Sequence, residues 1–364
     1  MYRLLADRLP ERSDPCTSTT ARRRKSAVMA QAKYKPLPVD ETEAKPHGMS
    51  PARALAATVL YCLAGPSLIF LNKHILVEVE FPYGAALSLM GVSMSTLLSI
   101  AALCLGWCPC DQTKLLTPHT YCTRVLPIGI ALGLCLTTGN VAYLYNSVAF
   151  IQILKAFAPV VLLLVLFTAK LEKPSFTLVT SILIISGGTA VAVRGEVELS
   201  LIGVAYMLAS EFFEAIKLVM TQILLVDRKF GSVEGLAVVG PAAMVALAVC
   251  SVLGEDWRDA MDKVSQRPLL FLAASCGGVL VNLATNIMVA ATSALTLRVT
   301  SLLRNIGIVF VSTAVLREST LTLLEGVGFC IALSGFVLYQ HARRYPAHSF
   351  RDILRDGRAF CGAS

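Results

Sequence analysis

Asn140–Pro174, NVAYLYNSVAFIQILKAFAPVVLLLVLFTAKLEKP, is the stretch on which the reading of this chain turns. From Val148 to Ala169 it is apolar and long enough for one helix to cross a bilayer, apart from a single ammonium at Lys155. Neither end of that span brings the side chain close to interfacial water. A lysine at membrane depth costs on the order of 2.5–3.5 kcal/mol on insertion scales, so its presence marks a functional candidate that needs an anion. Gln152, Lys155 and Pro159 are spaced i, i+3, i+7 and share one helix face. Pro159 cannot donate to the carbonyl one turn back, which favours a kink beside the ammonium.

Composition extends this reading outward. The 364 residues are 55% hydrophobic and 15% charged, with a mean hydropathy of +0.67, which excludes an ordinary soluble domain. Apolar runs of spanning length recur, and they predict ten spans at about 54–76, 83–107, 125–145, 148–169, 175–194, 199–225, 233–253, 269–290, 294–316 and 321–341. The longest connection within the spans, Gly254 to Pro268, is amphipathic and suits the surface. Residues 1–53 read as a disordered tail with the basic run Arg22–Lys25 and no apolar signal core. Its acidic residues, among them Asp7, Glu11 and Asp14, argue against a transit peptide. Residues 343–364 form a basic tail. Lysine and arginine gather on the side of the termini, and Glu78, Glu80, Glu196, Glu255 and Asp259 on the other, so both termini are expected in the cytosol.

Eleven cysteines are scattered through apolar spans as small hydrophobes, with no disulfide framework. Trp107-Cys108-Pro109-Cys110 lacks a second ligand pair at zinc spacing, so no metal or cofactor is expected. No aspartate lies inside a span, and no nucleophile elbow, metalloprotease helix or P-loop occurs, so the chain does not read as an enzyme. No nucleic-acid partner is expected.

An internal repeat follows from laying Ala169–Thr180 on Ala314–Glu325, with Ser186-Gly187-Gly188 falling near Ser334-Gly335. A unit of five spans is odd, so its second copy is inverted in the membrane. The expected domain, 54–342, then has half-repeats of about 54–195 and 199–342. The fold class is an all-α polytopic membrane protein with ten transmembrane helices in two inverted five-helix repeats, which is a transporter architecture.

The other ionisable residues inside spans are Glu211, Glu214, Lys217, Arg298 and Arg304, with Lys73 and His74 near a luminal end. Glu214 and Lys217 can pair along one helix, which leaves Lys217 either structural or gating. Thr292, Thr296, Thr300 and Arg304 make a polar stripe ending in a guanidinium whose fork suits phosphate oxygens. The repeat brings Lys155 opposite Thr300 and Arg304 one turn further, so two cations from two halves can face each other. Asn140, Tyr143 and Asn282 can bond a sugar or a base, and equally can join helices.

Ser147–Pro159, Asn72-Lys73-His74-Ile75-Leu76, Phe213–Leu225 and Thr292–Leu297 together resemble the signatures of the triose-phosphate translocator and nucleotide-sugar transporter family, within the drug/metabolite transporter superfamily. The likeness covers about 54–342 and implies ten spans, two inverted halves and exchange by alternating access. It also implies that Lys155 binds phosphate, helped by Lys217 in place of a family arginine and by the ninth-span pair. That pair is Arg304-Asn305 here, one cation short of the plastid pattern. Gly139, Leu136 and Val281 stand where plastid members carry threonine, histidine and tyrosine. The chain is more similar to the plant and algal endomembrane branch.

The expectation is therefore an antiporter in a Golgi or other endomembrane, exchanging a nucleotide sugar or other phosphorylated sugar for phosphate or a nucleoside monophosphate. Its expected substrate contacts are Lys155, Arg304, Lys217, Gln152, Asn140, Tyr143, Thr296, Asn282 and Asn305. The bilayer is its partner, and a homodimer is compatible with the pattern. One alternative is a plastid-envelope sugar-phosphate/phosphate translocator. The other is a membrane scaffold or receptor in which Glu211 or Glu214 neutralises Lys155.

Overall fold

Inside hydrocarbon every backbone polar group must find its partner within the protein, and this chain meets that condition with helices. A computed structural model describes residues 51–107, 117–169, 175–196, 199–227, 232–291, 294–315 and 322–344. Side chains at 51–54, 222–227, 232, 286, 289–291, 294–299, 302, 315 and 343–344 lie outside that description. The N-tail, the Cys108–Cys110 cluster, most of the C-tail and the side chains of Thr292, Thr296 and Arg298 are therefore outside it too.

The helices are α1 (Pro51–Lys73), α2 (Gly84–Cys104), α3 (Leu126–Tyr145), α4 (Val148–Lys155), α5 (Ala158–Thr168), α6 (Phe176–Gly195), α7 (Leu201–Asp227), α8 (Ser232–Gly254), α9 (Trp257–Gln266), α10 (Pro268–Ala291), α11 (Ala294–Phe310) and α12 (Leu323–Arg344). π-helical turns extend α1 at His74–Glu78, precede α3 at Tyr121–Val125 and follow α11 at Val311–Val315. Among the described residues, eight spans are long and apolar enough to cross a membrane. α7 has the length, 27 residues, but Glu211, Glu214 and Lys217 interrupt its apolar run. α9 is the surface helix expected from Gly254–Pro268: Ala260 is buried beneath it, while Trp257 and Met261 are exposed.

The exterior is apolar. On α1, Leu55, Val59 and Leu63 form an exposed stripe at helical spacing, and Leu183, Leu253 and Leu323 are exposed elsewhere. A soluble surface would bury such patches, whereas a lipid-facing one needs them.

Helix contacts pair α6 with α12, α3 with α7, α8 with α2 and α3, α10 with α1 and α2, α5 with α7, and α11 with α4 and α1. Small residues set the closest of these. Gly188 faces the backbone of Ala332 and Gly328 that of Ala192, where an added Cβ would lie 2.4 Å from each amide nitrogen. Gly129 meets Ala242 and Gly133 meets Ala246 in the same manner between α3 and α8. In a bilayer the hydrophobic effect does not drive helices together, so this close approach supplies the attraction through dispersion. The largest core cluster includes Ile75, Phe81, Phe150, Ile151, Leu154 and Ile308, and brings the start of α4 between α1, α2, α3 and α11.

Candidate functional site

The span expected as one kinked helix is two helices end to end. Ser147 caps α4 by accepting from the Phe150 amide at 3.2 Å. α4 then ends at Lys155. Ala156 and Phe157 bond to the carbonyls three residues back, at 3.1 and 2.9 Å, before α5 begins at Ala158. Pro159 explains the break: it has no N–H for the Lys155 carbonyl, so the ladder tightens to i→i−3 there.

Lys155 is half-buried and donates to the Tyr143 hydroxyl at 3.3 Å, with its nitrogen 5.8 Å from the ring centroid. Gln152, 2% exposed, donates to the same oxygen at 3.4 Å. Tyr143, from α3, thus orients both polar groups of the α4 face. No carboxylate lies within the 4.0 Å of an ion pair from Lys155 among the described residues. Glu214, one of the two expected neutralisers, is committed elsewhere. It pairs with Lys217 and accepts from the Cys135 thiol at 3.3 Å. The Lys217 ammonium therefore has an intrahelical partner.

Arg304 on α11 is carried by α1. Its guanidinium stacks 4.6 Å from the Tyr61 ring centroid, and an added Cβ on Gly65 would meet its Nη1 at 3.1 Å. Tyr61 is itself fixed by a 2.8 Å bond between its hydroxyl and that of Ser301. The Nε of Arg304 is buried without a hydrogen-bond partner. A buried guanidinium donor left unpaired marks a place where an acceptor is expected to arrive. Asn305, beside it, is half-buried. α4 and α11 are in contact, and Ile153 and Val309 belong to one core cluster between them.

Two of the remaining expected residues bond to other helices. The Asn140 amide donates to Ser88 at 2.7 Å and to the Gly84 carbonyl at 3.3 Å, joining α3 to the first turn of α2. Asn282 is exposed and donates to Ser95 at 3.4 Å, joining α10 to α2. Thr296 lies outside the described side chains. Three features went unread in the sequence. One is the Tyr61–Gly65 seat of Arg304, signalled by an aromatic and a glycine at i, i+4. Another is Lys73, which donates to the Tyr143 and Asn146 carbonyls at 2.6 and 3.0 Å and so closes the end of α3. The third is the Glu255 carboxylate, which accepts from the amides in the first turn of α2.

Eight helices of spanning length, an apolar exterior, and buried or half-buried cations with no carboxylate within ion-pair distance among the described residues together define a multi-pass α-helical membrane protein. The model of the triose-phosphate transporter family matches residues 54–340, and the chain belongs to that family. Its members are transporters rather than enzymes. Among its relatives are proteins of Arabidopsis thaliana named as probable sugar phosphate/phosphate translocators. One is 28% identical over 287 residues, 78% of this chain and 76% of the relative. A second is 30% identical, covering 79% of this chain and 86% of the relative. A third is 32% identical, covering 76% and 80%.

Proposed function

We propose that this protein is an antiporter that exchanges a phosphorylated sugar for inorganic phosphate or another phosphate-bearing counter-substrate. The observation that carries the reading is the pair of cations, Lys155 on a span and Arg304 on the apolar helix α11, with no carboxylate within ion-pair distance among the described residues. Lys155 and Arg304 would neutralise the phosphate, Gln152 and Tyr143 would orient it, and Asn305 would meet the remainder of the substrate. Lys217, Asn140, Asn282 and Thr296 are secondary members of this proposed site. The relatives named as sugar phosphate/phosphate translocators support the substrate class. A nucleotide sugar is the second reading, favoured by Asn305 standing where the plastid pattern has a cation.

The proposed architecture is ten spans, with 54–195 and 199–342 as inverted halves between cytosolic tails. The contact pattern supports it. Exchanging each span with the one five places along turns the α3–α7 contact into α10–α1, α8–α3 into α2–α10, and α5–α7 into α11–α1, all of which occur. The break between α4 and α5 fits a discontinuous helix at a substrate site. With no substrate bound, the Arg304 guanidinium would cross hydrocarbon without an anion, so crossing with a phosphate aboard is favoured and exchange becomes obligatory. The membrane is a Golgi or other endomembrane, with the plastid envelope as the alternative. A scaffold role is disfavoured because Glu214 is already paired and Glu211 stands outside ion-pair distance of Lys155.

Proteoliposomes loaded with phosphate, triose phosphate or nucleoside monophosphate, then offered labelled sugar phosphates and nucleotide sugars, test the proposal. Exchange with at least one pair is expected. It should be lost in Lys155→Ala and in Arg304→Ala while both variants stay folded. Absence of exchange with every pair overturns the antiporter, and full exchange in both variants overturns the site.

A further inference from the structure

Glu211 is a charged group that the site above leaves unused. It is 7% exposed on α7, lines a cavity of about 220 Å³ between α5, α7 and α12, and engages in no hydrogen bond or ion pair among the described residues. An isolated carboxylate in a low-dielectric setting either finds a cation or takes up a proton. Each element packed against α7 has something to offer. α5 contributes only Ala158, Pro159 and Leu162 to the cavity. α12 contributes Tyr339, and α3 contributes Cys135, which is bonded to Glu214, and Tyr143, which is bonded to Lys155. The Tyr121–Val125 turn, with Tyr121, Cys122 and Arg124, meets α7 near Met220, more than two turns away. On α7 itself Glu214 is neutralised by Lys217. Among the described residues, the cation that faces Glu211 without a partner carboxylate of its own is Lys155 on α4, a helix in contact with α7, beyond 4.0 Å.

That arrangement makes two charges compete for one ammonium. With the anion site empty, the field of Lys155 favours the ionised carboxylate. With a phosphate on Lys155, that field is cancelled and a second anion close by is repelled. We propose that Glu211 is a proton-binding site coupled to anion occupancy at Lys155: a proton from solvent in the cavity adds to a Glu211 carboxylate oxygen as phosphate binds, and leaves again on release. This rests on Lys155 being the anion site. By linkage, phosphate binding then tightens as pH falls, by up to about tenfold per pH unit across the range in which Glu211 titrates.

The test uses the purified full chain in detergent with inorganic phosphate as the probe. Titration calorimetry in buffers of different ionisation heats counts protons taken up, and Glu211→Gln supplies the baseline for the titration of phosphate itself. The wild type should take up one proton more than Glu211→Gln. The variant, fixed in the neutral form, should also lose the extra pH slope. Equal proton uptake in the two overturns the coupling. Infrared spectroscopy supplies a readout that needs no ligand. The protonated carboxyl band assigned by its loss in Glu211→Gln should persist to higher pH in Lys155→Gln, which lacks the opposing charge. An unmoved band overturns the proposal. Failure of phosphate to bind wild type with the band still moved overturns the anion site instead, and leaves the Lys155–Glu211 coupling supported.

Discussion

At the residue scale, Tyr143 decides what Lys155 can do. Its hydroxyl accepts from both Lys155 and Gln152, so it holds the ammonium in place without cancelling its charge, as a carboxylate would. Tyr143→Phe keeps the ring and removes the acceptor. A hydrogen bond to a charged group contributes about 1.5–3 kcal/mol, so we expect the affinity for a phosphate-bearing substrate to fall by roughly ten- to a hundredfold with the fold retained. Exchange kinetics would show this as a raised KM, and an unchanged KM would remove Tyr143 from the site. Arg304 is held differently, by stacking on Tyr61. Tyr61→Leu leaves the guanidinium but removes a cation–π contact worth about 0.5–2 kcal/mol. Phosphate affinity should then drop several-fold, and Tyr61→Phe should restore it. Lys155 and Arg304 stood out in the sequence because a charge in an apolar run needs no partner to be noticed. Tyr61 did not, because an aromatic on an apolar helix carries no mark of what it faces. Asn140 shows the converse: an amide suited to a sugar by type is used between α3 and α2.

At the element scale, eight of the ten expected spans were legible among the described residues, because a bilayer fixes helix length and excludes other structure. The break within 148–169 was half legible. Pro159 predicts the lost bond, but whether a helix bends or stops depends on the packing around it, and here α4 and α5 are separate helices. The α6–α12 contact was legible only as glycines falling at equivalent places. What they do depends on a helix distant in sequence. Gly188 and Gly328 let the two backbones touch, and no rotamer can relieve a Cβ set 2.4 Å from a backbone nitrogen. Gly188→Ala should therefore destabilise the protein by about 1–3 kcal/mol as the helices separate, with Gly187→Ala as a control that meets nothing. Thermal unfolding in detergent measures both. A Gly188→Ala melting curve matching that of Gly187→Ala would show that the helices part freely.

At the scale of the molecule, one end of the bundle is tied across the two proposed halves. α2 begins at Gly84 with no side-chain cap of its own. The Ala85 and Ala86 amides instead donate to the two carboxylate oxygens of Glu255, at 2.7 and 3.0 Å, from the connection between α8 and α9. A carboxylate there satisfies two orphan donors and the positive end of the helix. One turn on, Tyr83 donates to Asp259 at 2.6 Å, and Lys263 pairs with Asp259 at 2.9 Å and donates to the Glu80 carbonyl at 2.8 Å. These groups are distant in sequence, so no local pattern announces them. In the proposed alternating-access cycle α2 and α8 would belong to different halves, and this set of bonds would be broken when that end opens. Glu255→Ala should raise amide exchange at Ala85 and Ala86 and shift the carrier toward the state open at that end. The pH response has a definite sign. Bonds from Tyr83 and Lys263 hold the Asp259 carboxyl below its usual range, so its contribution is present above the ordinary carboxylate range and is lost as pH falls through the lowered value. Asp259 pushes the Tyr83 phenol from 10.0 up to about 12, so that contribution is present below 10.0 and lost as pH rises through about 12. Amide exchange at Ala85 and Ala86, corrected for its intrinsic pH dependence, should therefore be slowest between those limits and faster on both sides. Asp259→Asn should remove the acid-side acceleration while leaving Glu255 in place. Acid-side acceleration that persists in Asp259→Asn would assign the opening to another carboxylate of this end, Glu255 first.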